Sequence, residues 1–185
     1  MDPVTSVGTG PRLALDTVTT ELTDLLNRLD ERAFAALVEE FTDERRRWFF
    51  TGQGRSGLAA RMAAMRFMHL GRRSHVLGEA TAPSVRDGDG LLVLSGSGTT
   101  PVSLGFARIA RSEGARVVLL TSRPDSALAE LADVVFPIPA GETRQLGGSL
   151  FEQAGLLVMD AVVFALAQRM EDATGRFAYL HTNML

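Results

Sequence analysis

The chain has 185 residues, 45% apolar and 22% charged, with a net charge of −3. That is enough for one domain with a real core, and it offers no general attraction to nucleic acid or acidic membranes. There is no cysteine and all 19 basic residues are arginine. Disulfides, thiolate catalysis, cysteine-ligated metal, lysine Schiff bases and a P-loop with its usual lysine are therefore excluded.

Residues 1–12, with Pro3, Gly8, Gly10 and Pro11, read as a flexible tail. Met1-Asp2-Pro3 opens acidic, without a basic segment followed by an apolar one, so a cytoplasmic protein is expected. The rest, 13–185, reads as a single domain with N-terminal helices over 13–44, a core over 45–172 and a C-terminal tail over 173–185. Leu22, Leu25, Leu26 and Leu29 recur at helical spacing, as do Phe34, Leu37, Val38 and Phe41, with a break near Asp30-Glu31. Arg45-Arg46-Arg47 reads as a solvated helix end before a first strand, Trp48-Phe49-Phe50.

A glycine loop, Gly52-Gln53-Gly54-Arg55-Ser56-Gly57, leads to a helix over Leu58–Leu70 and a strand over Ser74–Leu77. The third strand, Leu91–Leu94, runs into Ser95-Gly96-Ser97-Gly98-Thr99-Thr100 and a helix over Val102–Ser112. A strand over Arg116–Thr121, a short helix over Ser126–Ala132 and a strand over Val134–Phe136 follow. A glycine-bearing loop, Pro137–Gly148, leads to a long helix over Ser149–Asp172 that is apolar nearly all round. Such a helix suits a core or a subunit interface; it is short of the ~20 apolar residues of a membrane span, and Asp160 interrupts it. Strands alternating with helices predict an α/β fold with a doubly wound, flavodoxin-like, five-stranded parallel sheet. Ligands of such sheets sit at the carboxyl ends of the strands, where both glycine loops lie.

The 95–100 loop carries the clearest chemical signal. Small residues let a backbone approach an anion, hydroxyls add donors, and the start of the next helix adds amides and dipole. With no lysine nearby, it reads as a cradle of neutral donors for a small phosphorylated ligand. The first loop also matches G-x-G-x-x-G, and Glu79 stands 22 residues after Gly57, where a ribose-binding acid would be. Against a dinucleotide site stand the long helical segment before the first strand and the second phosphate-type loop. A tight turn needing glycines for its geometry is the plain alternative.

Two serine-bearing glycine loops after strands one and three resemble the sugar isomerase (SIS) domain. The closer resemblance is to the 6-phospho-3-hexuloisomerase family. It rests on Gly52–Gly57, Met65-Arg66-Phe67-Met68-His69-Leu70-Gly71, Gly78-Glu79, Ser95–Thr100, Ala132-Asp133-Val134-Val135 and Gly148-Ser149-Leu150-Phe151-Glu152. It extends over about residues 15–183. Gln53 stands where the family has alanine and Thr99 where it has an acid. The end, His181-Thr182-Asn183-Met184-Leu185, keeps the family's histidine and asparagine without its terminal acid.

The resemblance implies conversion of 3-hexulose 6-phosphate to fructose 6-phosphate through an enediol, in the ribulose monophosphate pathway of formaldehyde assimilation. That reaction needs a base to move a proton between adjacent carbons and an acid or relay between the oxygens. It needs no redox cofactor and, with an organic base, no metal. Ser56, Ser95, Ser97, Thr99 and Thr100 are implied as phosphate ligands, and Gly96 and Gly98 as points of close backbone approach. Arg55 would neutralise the phosphate or hold a sugar hydroxyl, and Glu79 would contact sugar hydroxyls. Glu152, in the first turn of the last helix, is the candidate base; its plain alternative is a carboxylate favoured there by the helix dipole. Asp160 is ~12 Å further along that helix and reads as a structural or interface acid. His181 is the candidate acid or relay, in a tail able to reach a neighbouring subunit, with an ordinary pKa of about 6.5 suited to the task. His69 and His75 read as structural, and the histidine spacing has no metal-ligand signature.

The expected partners are a phosphorylated sugar and further copies of the chain, as a dimer or tetramer, with a homotetramer as the working expectation. Nucleic acid and membrane are not expected. Two other functions stay open: a non-catalytic phosphosugar-binding module of the kind found in regulators, and an SIS aldose–ketose phosphate isomerase of different sugar specificity. The helical segment before the first strand holds no evident basic recognition helix, so fusion to DNA binding is not expected.

Overall fold

A computed structural model describes residues 10–184. The first nine residues of the predicted tail lie outside the described residues, and helix α1 already begins at Pro11. In chain order the elements are α1 (Pro11–Leu26), α2 (Glu31–Glu40), β1 (Trp48–Gly52), α3 (Arg55–His69), β2 (Ser74–Val76), β3 (Gly90–Leu94), α4 (Pro101–Ser112), β4 (Arg116–Thr121), α5 (Ala127–Leu131), β5 (Val134–Pro137), α6 (Ser149–Ala167) and α7 (Ala173–Leu180).

The short, almost wholly apolar strand sequences are those of a parallel sheet buried on both faces. Every strand pairing is parallel and the order is β2-β1-β3-β4-β5, the doubly wound flavodoxin-like order. Strand alternation divides the core. Phe50, Leu92, Leu94, Val118, Leu120 and Phe136 pack with α2, α3 and α6 on one face. Phe49, Leu91, Val93, Val117 and Leu119 pack with α4 and α5 on the other. The strand order reverses between β1 and β3, so the loops following these two strands flank the crevice where such folds bind ligands.

Of the arginine triplet before β1 only Arg45 is solvated; Arg46 and Arg47 are half-buried and paired. Arg47 donates to both carboxylate oxygens of the buried Asp89, at 2.8 and 2.6 Å, fastening the starts of β1 and β3 together. Arg46 lies 3.7 Å from Glu40, which Arg116 clasps from β4 at 2.5 and 2.7 Å. Desolvation of an arginine is offset here by bidentate pairing, which local sequence does not reveal.

The last long helix ends at Ala167, not Asp172. It is long and apolar enough by composition to cross a bilayer, but Leu150, Phe151, Ala154, Val158, Met159, Val162 and Leu166 bury one side of it in the domain core. The segment read as a C-terminal tail contains α7, whose N-cap Asp172 accepts from the Gly175 amide at 2.8 Å. Eight residues with an internal glycine are too short and weak a pattern to hold a helix alone. Tertiary contact does so: Phe177 lies 4.7 Å from the His69 ring, and the Arg66 guanidinium sits over Phe177 at 5.7 Å.

Candidate active site

The β1–α3 turn owes two of its glycines to close approach. A Cβ on Gly52 would meet the Ser56 carbonyl at 2.8 Å, and one on Gly57 would meet the Gly52 oxygen at 2.7 Å. Strand and helix are thus in backbone contact, which starts α3 at Arg55, three residues earlier than periodicity predicts, and buries Ser56 at the edge of a cavity.

The 95–100 loop folds on itself. The Thr99 amide and hydroxyl both donate to Ser97 Oγ at 3.3 Å, and Ser95 Oγ lies 3.5 Å from Thr100 Oγ1. Thr100 is the N-cap of α4 without using its side chain, and Pro101 follows. The opening amides of α4 therefore have no side-chain acceptor from the cap and remain suited to an anion. Gly98 has φ +64°, and a Cβ there would stand 1.9 Å from Ser126 Oγ. Only glycine lets this loop lie against the start of α5. The Leu128 amide donates to the Gly98 oxygen at 2.9 Å, and the Ser122 amide to that of Gly96 at 3.2 Å.

Both loops open on a cavity of about 410 Å³, lined among others by Ser56, Gly96, Ser97, Arg123, Gly148 and Glu152. That is within the roughly 300–1,000 Å³ of small-molecule sites. Glu152 enters from the first turn of α6 and is largely sheltered, with 16% of its side chain exposed. Arg55 Nε donates to its Oε2. A carboxylate, hydroxyls and loop amides thus converge on one space, an arrangement able to hold an oxyanion at one end and move a proton at the other.

Ser95, Gly98, Thr99 and Thr100 shape the loop without lining this cavity. Glu79 stands apart from it, paired with Arg61 at 2.7 Å. His181 is also apart: it follows α7 and stacks on His69, ring centroids 5.4 Å apart and planes 15° from parallel, beside Phe177. Burial is the chief cause that lowers the His69 pKa, followed by Arg66 and His181. His75 is lowered mainly by burial as well and lies 5.3 Å from Phe49. Along α3, His69 is ~21 Å of helix rise from Arg55, so within one chain the histidine pair and Glu152 occupy opposite ends of that helix.

Sequence reasoning missed two walls. Ser122 and Arg123, in the β4–α5 loop, line the cavity, and a position directly after a strand's carboxyl end was the available signal. Thr143, in the β5–α6 loop, also lines it. Glu21 of α1 holds that loop, accepting from Thr143 Oγ1 at 2.6 Å, the Arg144 amide at 2.9 Å and Gln145 Nε2 at 3.2 Å. Nothing in the local sequence ties Glu21 to a loop more than a hundred residues away.

Comparison with known proteins agrees with this architecture. The SIS domain family matches residues 40–169. A 3-hexulose-6-phosphate isomerase from Mycobacterium gastri is 41% identical over 178 residues, covering 92% of this chain and 89% of that protein. One from Methylomonas aminofaciens is 29% identical, covering 90% of this chain and 96% of that protein. A crystal structure of a Methanococcus jannaschii protein, from which a 3-hexulose-6-phosphate isomerase function was inferred, superposes with a TM-score of 0.83 at 29% identity over 94% of this chain and 99% of that one. The chain belongs to the SIS domain family and, within it, to the family of the 3-hexulose-6-phosphate isomerases.

Proposed function

We propose that this chain interconverts 3-hexulose 6-phosphate and fructose 6-phosphate, in the cytoplasm, as a step of formaldehyde assimilation. The observation that carries the reading is the opening of Glu152 and the Ser97-bearing loop on one cavity. The phosphate docks on the 95–100 loop with Ser56, and the sugar carbons extend toward Glu152. In 3-hexulose 6-phosphate the carbonyl is at C3. Glu152 removes the proton from C2, giving a 2,3-enediolate, and returns it to C3 while a proton passes from O2 to O3. The product carries the carbonyl at C2 and no atom is gained or lost. Arg55 does not itself line the cavity; donating to Glu152 from beside it, Arg55 aims the carboxylate.

A single chain does not supply the O2–O3 relay, because His181 is at the far end of α3. A second copy supplies it in this reading. Leu58, Met62, Met65 and Met68 form an exposed apolar stripe along α3, and Leu157 and Phe164 continue it on α6, with Leu58 61% and Phe164 67% exposed. Apolar stripes of this kind on adjacent helices are surfaces for association. Two copies mated about a two-fold axis near Met62, the middle of α3, set the His69–His181 end of one beside the Arg55–Glu152 end of the other. Dimers of this kind can pair again into a tetramer.

The test is incubation of the purified protein with 3-hexulose 6-phosphate, following fructose 6-phosphate, beside Glu152→Gln. Turnover lost in the variant supports the reading. No turnover in the wild type sinks it, and fructose 6-phosphate binding without turnover favours a sensor.

A further inference from the structure

The cavity has an imbalance of charge. Its ligand, on the reading above, is a phosphate monoester with close to two negative charges at neutral pH. It must sit in the same cavity as Glu152, a third negative group. The 95–100 loop and Ser56 offer hydroxyls and amides only, and Arg55 already donates to Glu152. Neutral donors can shape an anion site, but bringing a dianion beside a carboxylate out of water calls for a compensating cation.

Arg123 is placed to be that cation. It lines the cavity, and among the described residues its guanidinium has no hydrogen bond or ion pair, while its backbone is fixed. Its amide donates to Thr121 Oγ1 at 3.1 Å, that hydroxyl donates to the Gly96 oxygen at 3.3 Å, and the Arg123 oxygen accepts from the Ser126 amide at 3.1 Å. The Arg123 backbone is therefore anchored against the 95–100 loop at Gly96, while its side chain stays free. Its neighbour Ser122 also lines the cavity, and the Ser122 hydroxyl is buried without a hydrogen-bond partner in the protein. A buried hydroxyl left unpaired in a polar cavity is one that a ligand can satisfy.

We propose that the β4–α5 loop is a third arm of the phosphate site, in which Arg123 supplies the neutralising charge by a charge-assisted contact and Ser122 a further donor. This rests on the phosphosugar reading of the cavity. It adds a charged residue outside the glycine loops that sets affinity for the phosphate and leaves Glu152 free for the proton.

Calorimetric titration of wild type, Arg123→Ala and Arg123→Lys with fructose 6-phosphate and with inorganic phosphate, at two salt concentrations, tests it. The alanine variant is expected to bind both ligands roughly 10- to 100-fold more weakly, the range of a charge-assisted hydrogen bond, and with a shallower salt dependence. The lysine variant should recover some of that loss. In turnover, KM should rise in step with the loss of affinity while kcat falls far less. Thermal melts should be unchanged, since no described residue leans on the guanidinium. Wild-type affinity for both ligands in Arg123→Ala overturns the proposal and leaves the phosphosugar reading standing. A loss for fructose 6-phosphate with none for inorganic phosphate assigns Arg123 to the sugar and overturns it also. If the wild type binds neither ligand, the phosphosugar reading itself falls, and the proposal with it.

Discussion

Helix α3 begins at Arg55 beside a polar cavity and ends at His69 under a cover of Phe177 and His181. At its first turn four loops from the carboxyl edge of the sheet leave donors and acceptors facing open space. At its last turn the buried His69 ring stacks on His181, just past α7, and meets Phe177 of α7 at a tilt. One end is kept ready for a ligand. The other closes on protein contacts, yet it displays an exposed imidazole at its rim. The difference is what a helix serving two sites would require. In the two-fold dimer proposed above, its first turn would orient the carboxylate of its own subunit, and its last turn would back the His181 offered to the next.

The largest effect expected is at the open end. Glu152→Gln should lower kcat by about 10²- to 10⁴-fold, the usual contribution of a positioned general base, with an unchanged melt. His181→Ala should lower it less, because water can take over some of the relay between oxygens. The link between the two ends is tested most directly when the two impaired variants are mixed and allowed to exchange subunits. A heterodimer of Glu152→Gln and His181→Ala contains one site with both groups intact, so activity should recover to about a quarter of the wild-type value if a two-fold dimer shares its sites. No recovery despite subunit exchange would confine each site to one chain. A monomer in light scattering would do the same.

A smaller effect is expected at Gly98. Alanine there puts a methyl group where Ser126 stands and forces a positive φ on a residue that resists it. Stability should fall by about 1–3 kcal/mol in urea unfolding. KM should rise more than kcat falls, because the loop that shifts lines the phosphate end of the cavity and not the end at Glu152.

The closed end is also the harder one to read in the sequence. The sheet is legible because every strand but the edge strand β2, Ser74-His75-Val76, is a short, mostly apolar run followed by a turn signal. The 95–100 loop is legible because glycine, serine and a helix start have a local meaning. Helix α7 is not, since its eight residues are held by contact with Arg66 and His69 rather than by their own periodicity. Arg123 looks like any exposed arginine in a turn until the fold sets it beside Gly96. Arg46 and Arg47 mislead for the same reason: their pairing partners, Glu40 and Asp89, come from other elements.

Glu21 gives the mildest prediction and the one most tied to pH. Its carboxylate holds the wall of the open end that carries Thr143, and its pKa is lowered chiefly by the Thr143 hydroxyl, then by the Arg144 amide. A carboxyl group whose folded pKa is depressed contributes stability above its unfolded value, about 4.3 for glutamate, and that contribution is lost as pH falls through the lower folded value. The difference in melting temperature between wild type and Glu21→Gln should therefore be constant near neutrality. It should shrink only below the ordinary glutamate range. The loop bears on the cavity and not on α7, so the same variant should raise KM a few-fold and leave the His69–Phe177 contact intact, as read by histidine NMR. A Glu21→Gln protein with wild-type KM would show that the cavity wall keeps its shape without α1. A shifted His69 resonance would show that the two ends of the molecule are coupled through the core rather than built independently.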